Sequence, residues 1–144
     1  MLWNHKCSKT LSLEVKNLED WKIKIAVLWL VYEVAAIWIP LIEHYIPGFV
    51  EEAVAQTTPE AVLMLVIIAM IVPVMALLSL TLKDSINRWL NIIVGIVFIV
   101  LLPIGIVGGG FPTAYVPSLI VISIVQFVAA ALIVWYAWKS KQKA

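Results

Sequence analysis

The sequence predicts an all-α protein, a four-helix transmembrane bundle, and three features lead to that prediction. Of the 144 residues, 63% are hydrophobic and only 13% are charged, whereas soluble domains usually carry about 25% charged residues. Four apolar segments are each long enough to cross a hydrocarbon core of roughly 30 Å as a helix. The Lys and Arg residues are confined to alternate connections between those segments. Because so little polar surface could not keep a globule soluble, the predicted solvent is lipid.

The first predicted span covers residues 21–42 and follows a polar N-terminal segment. Within that segment Leu11, Val15 and Leu18 recur at helical spacing, which indicates a short interfacial helix before span one. A loosely ordered tail is the alternative. Residues 43–58 are predicted to form a connector in which Pro47 and Gly48 break the helix.

The second predicted span covers residues 60–82. Thr58, Pro59 and Glu60 precede it as a hydroxyl cap, a proline at the first helical position and an acid in the first turn. Pro73 lies inside this span and predicts a kink. The polar turn that follows, residues 83–88, is so short that spans two and three are expected to be antiparallel neighbours.

The remaining predicted spans cover residues 89–107 and 118–138. Between them lies an uncharged loop, GGGFPTAYVP, that either stays above the membrane or folds back into it. No internal repeat is visible. The sequence therefore predicts one transmembrane domain over residues 1–144.

All ten Lys and Arg residues fall on one face of the predicted bundle. Five precede span one or lie in its first turn, two lie between spans two and three, and three follow span four. Positively charged connections stay preferentially on the cytoplasmic side. We therefore expect a multi-pass protein of the cell (plasma) membrane with both termini cytoplasmic.

Spans two to four resemble an uncharacterised family of small prokaryotic four-span integral membrane proteins, classed as a domain of unknown function. The resemblance rests on VPVMALLSLTLKDSINRWLNIIVGIVF at residues 72–98 and ALIVWYAWK at residues 131–139. It extends more loosely to LEDWKIKIAVLW at residues 18–29. The resemblance implies the four-span architecture and a bacterial or archaeal membrane, and it implies no activity, ligand or catalytic residue.

Glu33 is the residue of the predicted spans that is most costly to place in lipid. It is the only formal charge between Ile25 and Ile42, and counting from Lys22 and Glu43 places it near the midplane. A charged acid at a helix centre costs about 2.5–3.5 kcal/mol on the insertion scale. No Lys, Arg or His lies between residues 25 and 42 or inside the other predicted spans, so the neutral, protonated carboxyl is expected at rest.

Gln126 is the predicted hydrogen-bond partner of Glu33, because it is the only amide near the middle of span four. A carboxyl–amide bond would satisfy both groups. The pair has two interpretations: a structural clamp between two helices, or a titrating site suited to proton-coupled binding. Trp29 and Tyr32 flank Glu33, and they either bind an organic cation beside the carboxyl or pack between helices.

The sequence lacks the motifs of common enzymes. It contains no HExxH, GxSxG, phosphate-binding loop or Cys/His spacing for a metal. We therefore expect no enzymatic activity, no catalytic residue, no metal site and no cofactor. The C-terminal lysines suit anionic lipid headgroups better than nucleic acid.

Two functions are consistent with these observations. The first is a non-enzymatic membrane protein with a structural or accessory role or a hydrophobic ligand. The second is a proton-coupled transporter or carrier of a cation or amphipathic molecule that uses Glu33. In both cases the expected partners are the lipid bilayer and either a second copy of the chain or another membrane protein.

Overall fold

The described part of the protein is all-helical, which confirms the predicted fold class. The computed structural model describes the backbone of residues 2–108 and 112–140, and the side chains of residues 20–55, 57–104 and 112–140. These residues form five helices and no strand. In chain order the helices are α1 (Leu2–Glu43), α2 (Phe49–Gln56), α3 (Pro59–Thr81), α4 (Asp84–Gly108) and α5 (Val116–Lys139).

Four of these helices are long and apolar enough to cross a membrane, so the chain is a multi-pass membrane protein. The candidate spans are Asp20–Glu43, Pro59–Thr81, Asp84–Ile104 and Val116–Lys139. Three of them match the predicted spans closely. The third begins at Asp84 rather than at residue 89, because the polar residues before Trp89 continue the helix instead of forming a turn.

Two helical features differ from the prediction. The helix expected before the first span is not a separate element, because α1 runs without a break from Leu2 to Glu43. The side chains of residues 2–19 lie outside the described ones. The predicted connector contains α2, an eight-residue helix too short to show a clear period in the sequence.

The predicted helix boundaries around α3 are confirmed. Gly48, before α2, has φ 76°, a left-handed conformation that glycine adopts without steric cost. At the start of α3, the Thr58 hydroxyl accepts a 3.3 Å hydrogen bond from the Ala61 backbone N–H. Pro59 occupies the first turn, where its missing N–H would have no intrahelical partner.

α1 and α5 are the two helices on which the others pack. α1 lies against both α3 and α5, and α5 also lies against α4. α3 and α4 are joined by a short turn but share little contact. They are antiparallel neighbours mainly close to that turn, where Asn87 Nδ2 donates a 2.7 Å hydrogen bond to the Ser79 carbonyl.

The two ends of the bundle are defined by separate sets of contacts. At one end, here called the terminal end, Lys22 near the start of the first span reaches Asp84 at the start of α4. Lys24 also lies 5.8 Å from the ring centroid of Tyr136 near the end of α5. At the other end, here called the loop end, the Tyr115 hydroxyl donates a 3.5 Å hydrogen bond to the Tyr45 carbonyl.

Candidate functional site

The most highly connected polar group of the bundle is a buried cluster, here called the asparagine cluster, which consists of Trp29, Ser79, Asn87 and Asn91. Trp29 Nε1 donates to Asn91 Oδ1 at 2.6 Å, and Ser79 Oγ lies 3.1 Å from the same oxygen. Asn91 Nδ2 donates to Asn87 Oδ1 at 2.6 Å and to the Asn87 carbonyl at 2.8 Å. All four residues are fully buried.

The asparagine cluster joins three helices through donors and acceptors that satisfy one another. Trp29 belongs to α1, Ser79 to α3, and the two asparagines to α4. A network of this kind fixes the relative rotation of helices, because a rotated helix would leave buried polar atoms unpaired. Its arrangement is suited to holding the bundle closed rather than to binding a ligand.

Sequence reasoning missed the asparagine cluster, although a signal was present. Asn87 and Asn91 are four positions apart, so they lie on one face of a helix, and Ser79 lies just before the turn that leads into that helix. A polar stripe of that kind beside a membrane span indicates contact with another helix rather than with lipid.

A second polar contact fastens α1 to the α3–α4 turn. Lys22 Nζ lies 2.6 Å from Asp84 Oδ1 and donates a 3.0 Å hydrogen bond to the Leu82 carbonyl. The carbonyl at the end of α3 has no intrahelical partner and lies at the negative end of the helix dipole, so it favours a nearby cation. The acid at the start of α4 lies at the positive end of that helix dipole, where a carboxylate is stabilised. Lys22 therefore connects α1 to both sides of the turn between α3 and α4.

The two aromatic candidates beside Glu33 are packed inside the bundle. Trp29 is 0% exposed and Tyr32 is also buried. Their ring centroids lie 6.1 Å apart, and each ring meets Phe98 of α4 edge to face, at 5.8 Å from Trp29 and 5.3 Å from Tyr32. In this arrangement the two rings contribute to helix packing, and the cation-binding role stays a prediction.

Glu33 and Gln126 both lie in candidate spans, but the structure does not join them by a hydrogen bond. Glu33 is partly exposed, while Gln126 is buried in α5. Neither side chain makes a hydrogen bond to another described residue. Depth alone was therefore insufficient to identify a partner for Glu33.

An apolar groove runs between α1 and α5, with a volume of about 410 Å³. Ala35 lies at its base, and the bulky side chains of Val31, Trp38 and Val125 line it. On α1 the lining extends from Val27 to Trp38, about 16 Å at a rise of 1.5 Å per residue. Every lining side chain is apolar, and Glu33 is not among them.

The described residues contain no group of three or more His, Cys, Asp or Glu side chains that could hold a metal ion. His44 is exposed, and its Nδ1 lies 3.1 Å from the Pro40 carbonyl.

In comparisons with known proteins, no family model, no curated protein and no solved structure matches this chain.

Proposed function

We propose that this chain is a non-enzymatic integral membrane protein with a structural or accessory role, which holds a hydrophobic ligand in the groove between α1 and α5. The groove is the observation that carries the proposal. Ligand sites in proteins are concave and mostly apolar. The proposed ligand is an acyl chain. The groove is open on one side, and an acyl chain lying in it would cover the apolar lining there.

The dimensions of the groove support an acyl chain. Its length along α1, about 16 Å, is close to half of a hydrocarbon core of roughly 30 Å. Trp38 lies at the end of the groove nearer the loop end, and tryptophan is enriched where the hydrocarbon meets the headgroups. An acyl chain of one leaflet would therefore run along the groove with its headgroup near Trp38.

Photolabelling tests this proposal. The full chain is reconstituted in liposomes that contain a phospholipid with a diazirine on its acyl chain, and labelled peptides are quantified by mass spectrometry. We expect labelling of residues 27–38 to exceed that of residues 60–70, where every side chain is exposed and none lines the groove between α1 and α5. In Val31→Trp, which fills the groove, labelling of residues 27–38 is expected to fall at least about twofold.

Val62→Trp is the matched control, because Val62 is also an exposed valine of a spanning helix and lies outside the groove. It should leave the labelling of residues 27–38 unchanged. Equal labelling of the groove and of residues 60–70, or the same effect from both tryptophan variants, would contradict a lipid-binding groove.

The carrier hypothesis is a second, separate proposal, and the partly exposed carboxyl of Glu33 inside a candidate span supports it. It requires a water-filled path from one membrane face to Glu33. The side chains that flank Glu33 on the surface of α1, Leu30, Val34 and Ile37, are all apolar and exposed. They favour contact with lipid over such a path, so we place the structural or ligand-holding role first.

A further inference from the structure

Glu33 is partly exposed and lies at the edge of an exposed apolar surface of α1. Leu30 and Ile37, three residues before it and four after it, are 52% and 51% exposed, and Leu30 also lies at the margin of the groove between α1 and α5. Ile23, one further heptad before Leu30, is exposed to the same extent. These residues follow the spacing of a helix–helix seam, and we refer to Ile23, Leu30, Glu33 and Ile37 as the Glu33 stripe.

α3 packs on α1 only along its second half. Its buried residues are Val72, Met75, Ala76 and Ser79, whereas every described side chain from Pro59 to Met70 is exposed. The half of α3 nearer the loop end therefore does not cover the Glu33 stripe. This leaves open space for a helix beside α1 at the level of Glu33 and Ile37.

The carboxyl of Glu33 needs a hydrogen-bond partner at this position. It makes no hydrogen bond or ion pair with another described residue, and lipid tails have neither donors nor acceptors. A cation is not available either, since no Lys, Arg or His lies between residues 25 and 42 or inside the other predicted spans. No described residue of the single chain therefore supplies that partner.

We propose that two copies of this chain pair along the Glu33 stripe, and that their Glu33 carboxyls hydrogen-bond to each other. Two copies inserted in the same orientation are related by an axis along the membrane normal, so equal residues lie at equal depth. A protonated carboxyl carries one donor and at least one acceptor. Two of them are self-complementary, which favours a second copy over an unrelated partner.

Dimerisation in liposomes tests the proposal, with the full chain as the only protein present. The dimer fraction is measured by single-molecule photobleaching over a range of protein-to-lipid ratios. The wild-type chain and Glu33→Gln, whose amide also donates and accepts, are expected to dimerise. Glu33→Leu removes both functions at a partly exposed position outside the buried core, and should weaken dimerisation about tenfold. Gln126→Leu is the control, because it removes a buried polar group away from the stripe and should leave dimerisation unchanged.

Cysteine cross-linking locates the interface. In a Cys7→Ser background, which removes the only native cysteine, Leu30→Cys and Ile37→Cys should form intermolecular disulfides on oxidation. Leu63→Cys, on an exposed face of α3, should not. The proposal is wrong if the wild-type chain stays monomeric at every ratio, if Glu33→Leu dimerises as well as wild type, or if Leu63→Cys cross-links as efficiently as Leu30→Cys.

Discussion

Two tryptophans of α1 are both buried, but their indole nitrogens have different surroundings. Trp29 Nε1 donates a 2.6 Å hydrogen bond to Asn91, whereas Trp21 Nε1 is buried without an acceptor among the described residues. A buried hydrogen bond contributes to stability mainly because its loss leaves a partner unpaired. Trp29 should therefore contribute more to stability than Trp21, although both rings are removed from solvent.

Replacing each tryptophan with phenylalanine tests this difference. Trp29→Phe removes the closer donor to Asn91 Oδ1. The Ser79 hydroxyl has one proton and lies nearer to the Met75 carbonyl, at 2.7 Å, than to Asn91 Oδ1, at 3.1 Å. We expect Trp29→Phe to lower the free energy of unfolding by about 1 kcal/mol more than Trp21→Phe does. Unfolding in mixed micelles, with a denaturing detergent as the titrant, measures both values. Equal losses would show that the hydrogen bond to Asn91 is not a stabilising contact.

Residue chemistry predicted which side chain would be costly to place in lipid, but not which side chains would form hydrogen bonds with each other. Glu33 was singled out by its transfer cost, and the structure leaves it without a hydrogen bond from the described residues. Gln126 has the right depth, but depth follows from counting along a helix, and contact also depends on the rotation of α5 about its axis. Asn87 and Asn91 were overlooked because an amide is less costly in lipid than a charge.

At the scale of helices, α4 and α5 approach each other closely at Gly95. A Cβ added there would lie 2.8 Å from Val134 Cγ2 and 3.7 Å from the Ala130 carbonyl oxygen. The first distance is well inside the optimal carbon–carbon separation of about 3.5–4.0 Å. Gly95 therefore permits the close contact of these two helices, as small residues do in membrane proteins generally.

Gly95→Ala is accordingly expected to destabilise the bundle, although alanine favours a helix over glycine by about 1 kcal/mol. Overpacking costs roughly 1–3 kcal/mol, because the β-branched side chain of Val134 has little freedom to move. A net loss of about 1 kcal/mol in the free energy of unfolding is expected by the same detergent titration.

The double variant supplies the control for Gly95. In a Val134→Ala background the clashing methyl group is absent, so Gly95→Ala should become neutral or stabilising, and the two substitutions should be strongly non-additive. Additive effects would mean that Val134 is not the neighbour that limits residue 95.

Helix positions followed from the sequence more reliably than helix contacts. The cap at Thr58 and the break at Gly48 were predicted, because both depend on local backbone chemistry. α2 was not, since its eight residues are too few to define a period. The weak contact between α3 and α4 was not foreseen either, because a short turn constrains only the ends that it joins.

At the scale of the whole molecule, the terminal end gathers all the described Lys and Arg side chains. Lys22, Lys24, Lys83, Arg88 and Lys139 lie near the start of the first span, at the α3–α4 turn or at the end of α5. The described connections at the loop end contain none. We propose from this asymmetry that the terminal end is cytoplasmic.

Cysteine labelling in intact bacterial cells tests the orientation. In the Cys7→Ser background, a membrane-impermeant maleimide should label Ala114→Cys at the loop end without permeabilisation. It should label Lys83→Cys at the terminal end only after permeabilisation. Both residues are exposed, so access to the reagent depends on the membrane side. The reverse pattern would overturn the orientation.

The central position of α1 has a consequence for the order in which the protein is made. Trp29 and its acceptor Asn91 are 62 residues apart in the chain. Lys22 and its acceptor Leu82 are 60 residues apart. At about 5–20 residues per second, each partner is synthesised roughly 3–12 s after the α1 residue that it contacts. During that interval the Trp29 N–H is without its acceptor Asn91. The first helix therefore presents an unpaired polar group soon after its insertion, and that is the stage of biogenesis at which an insertion factor would have a group to bind.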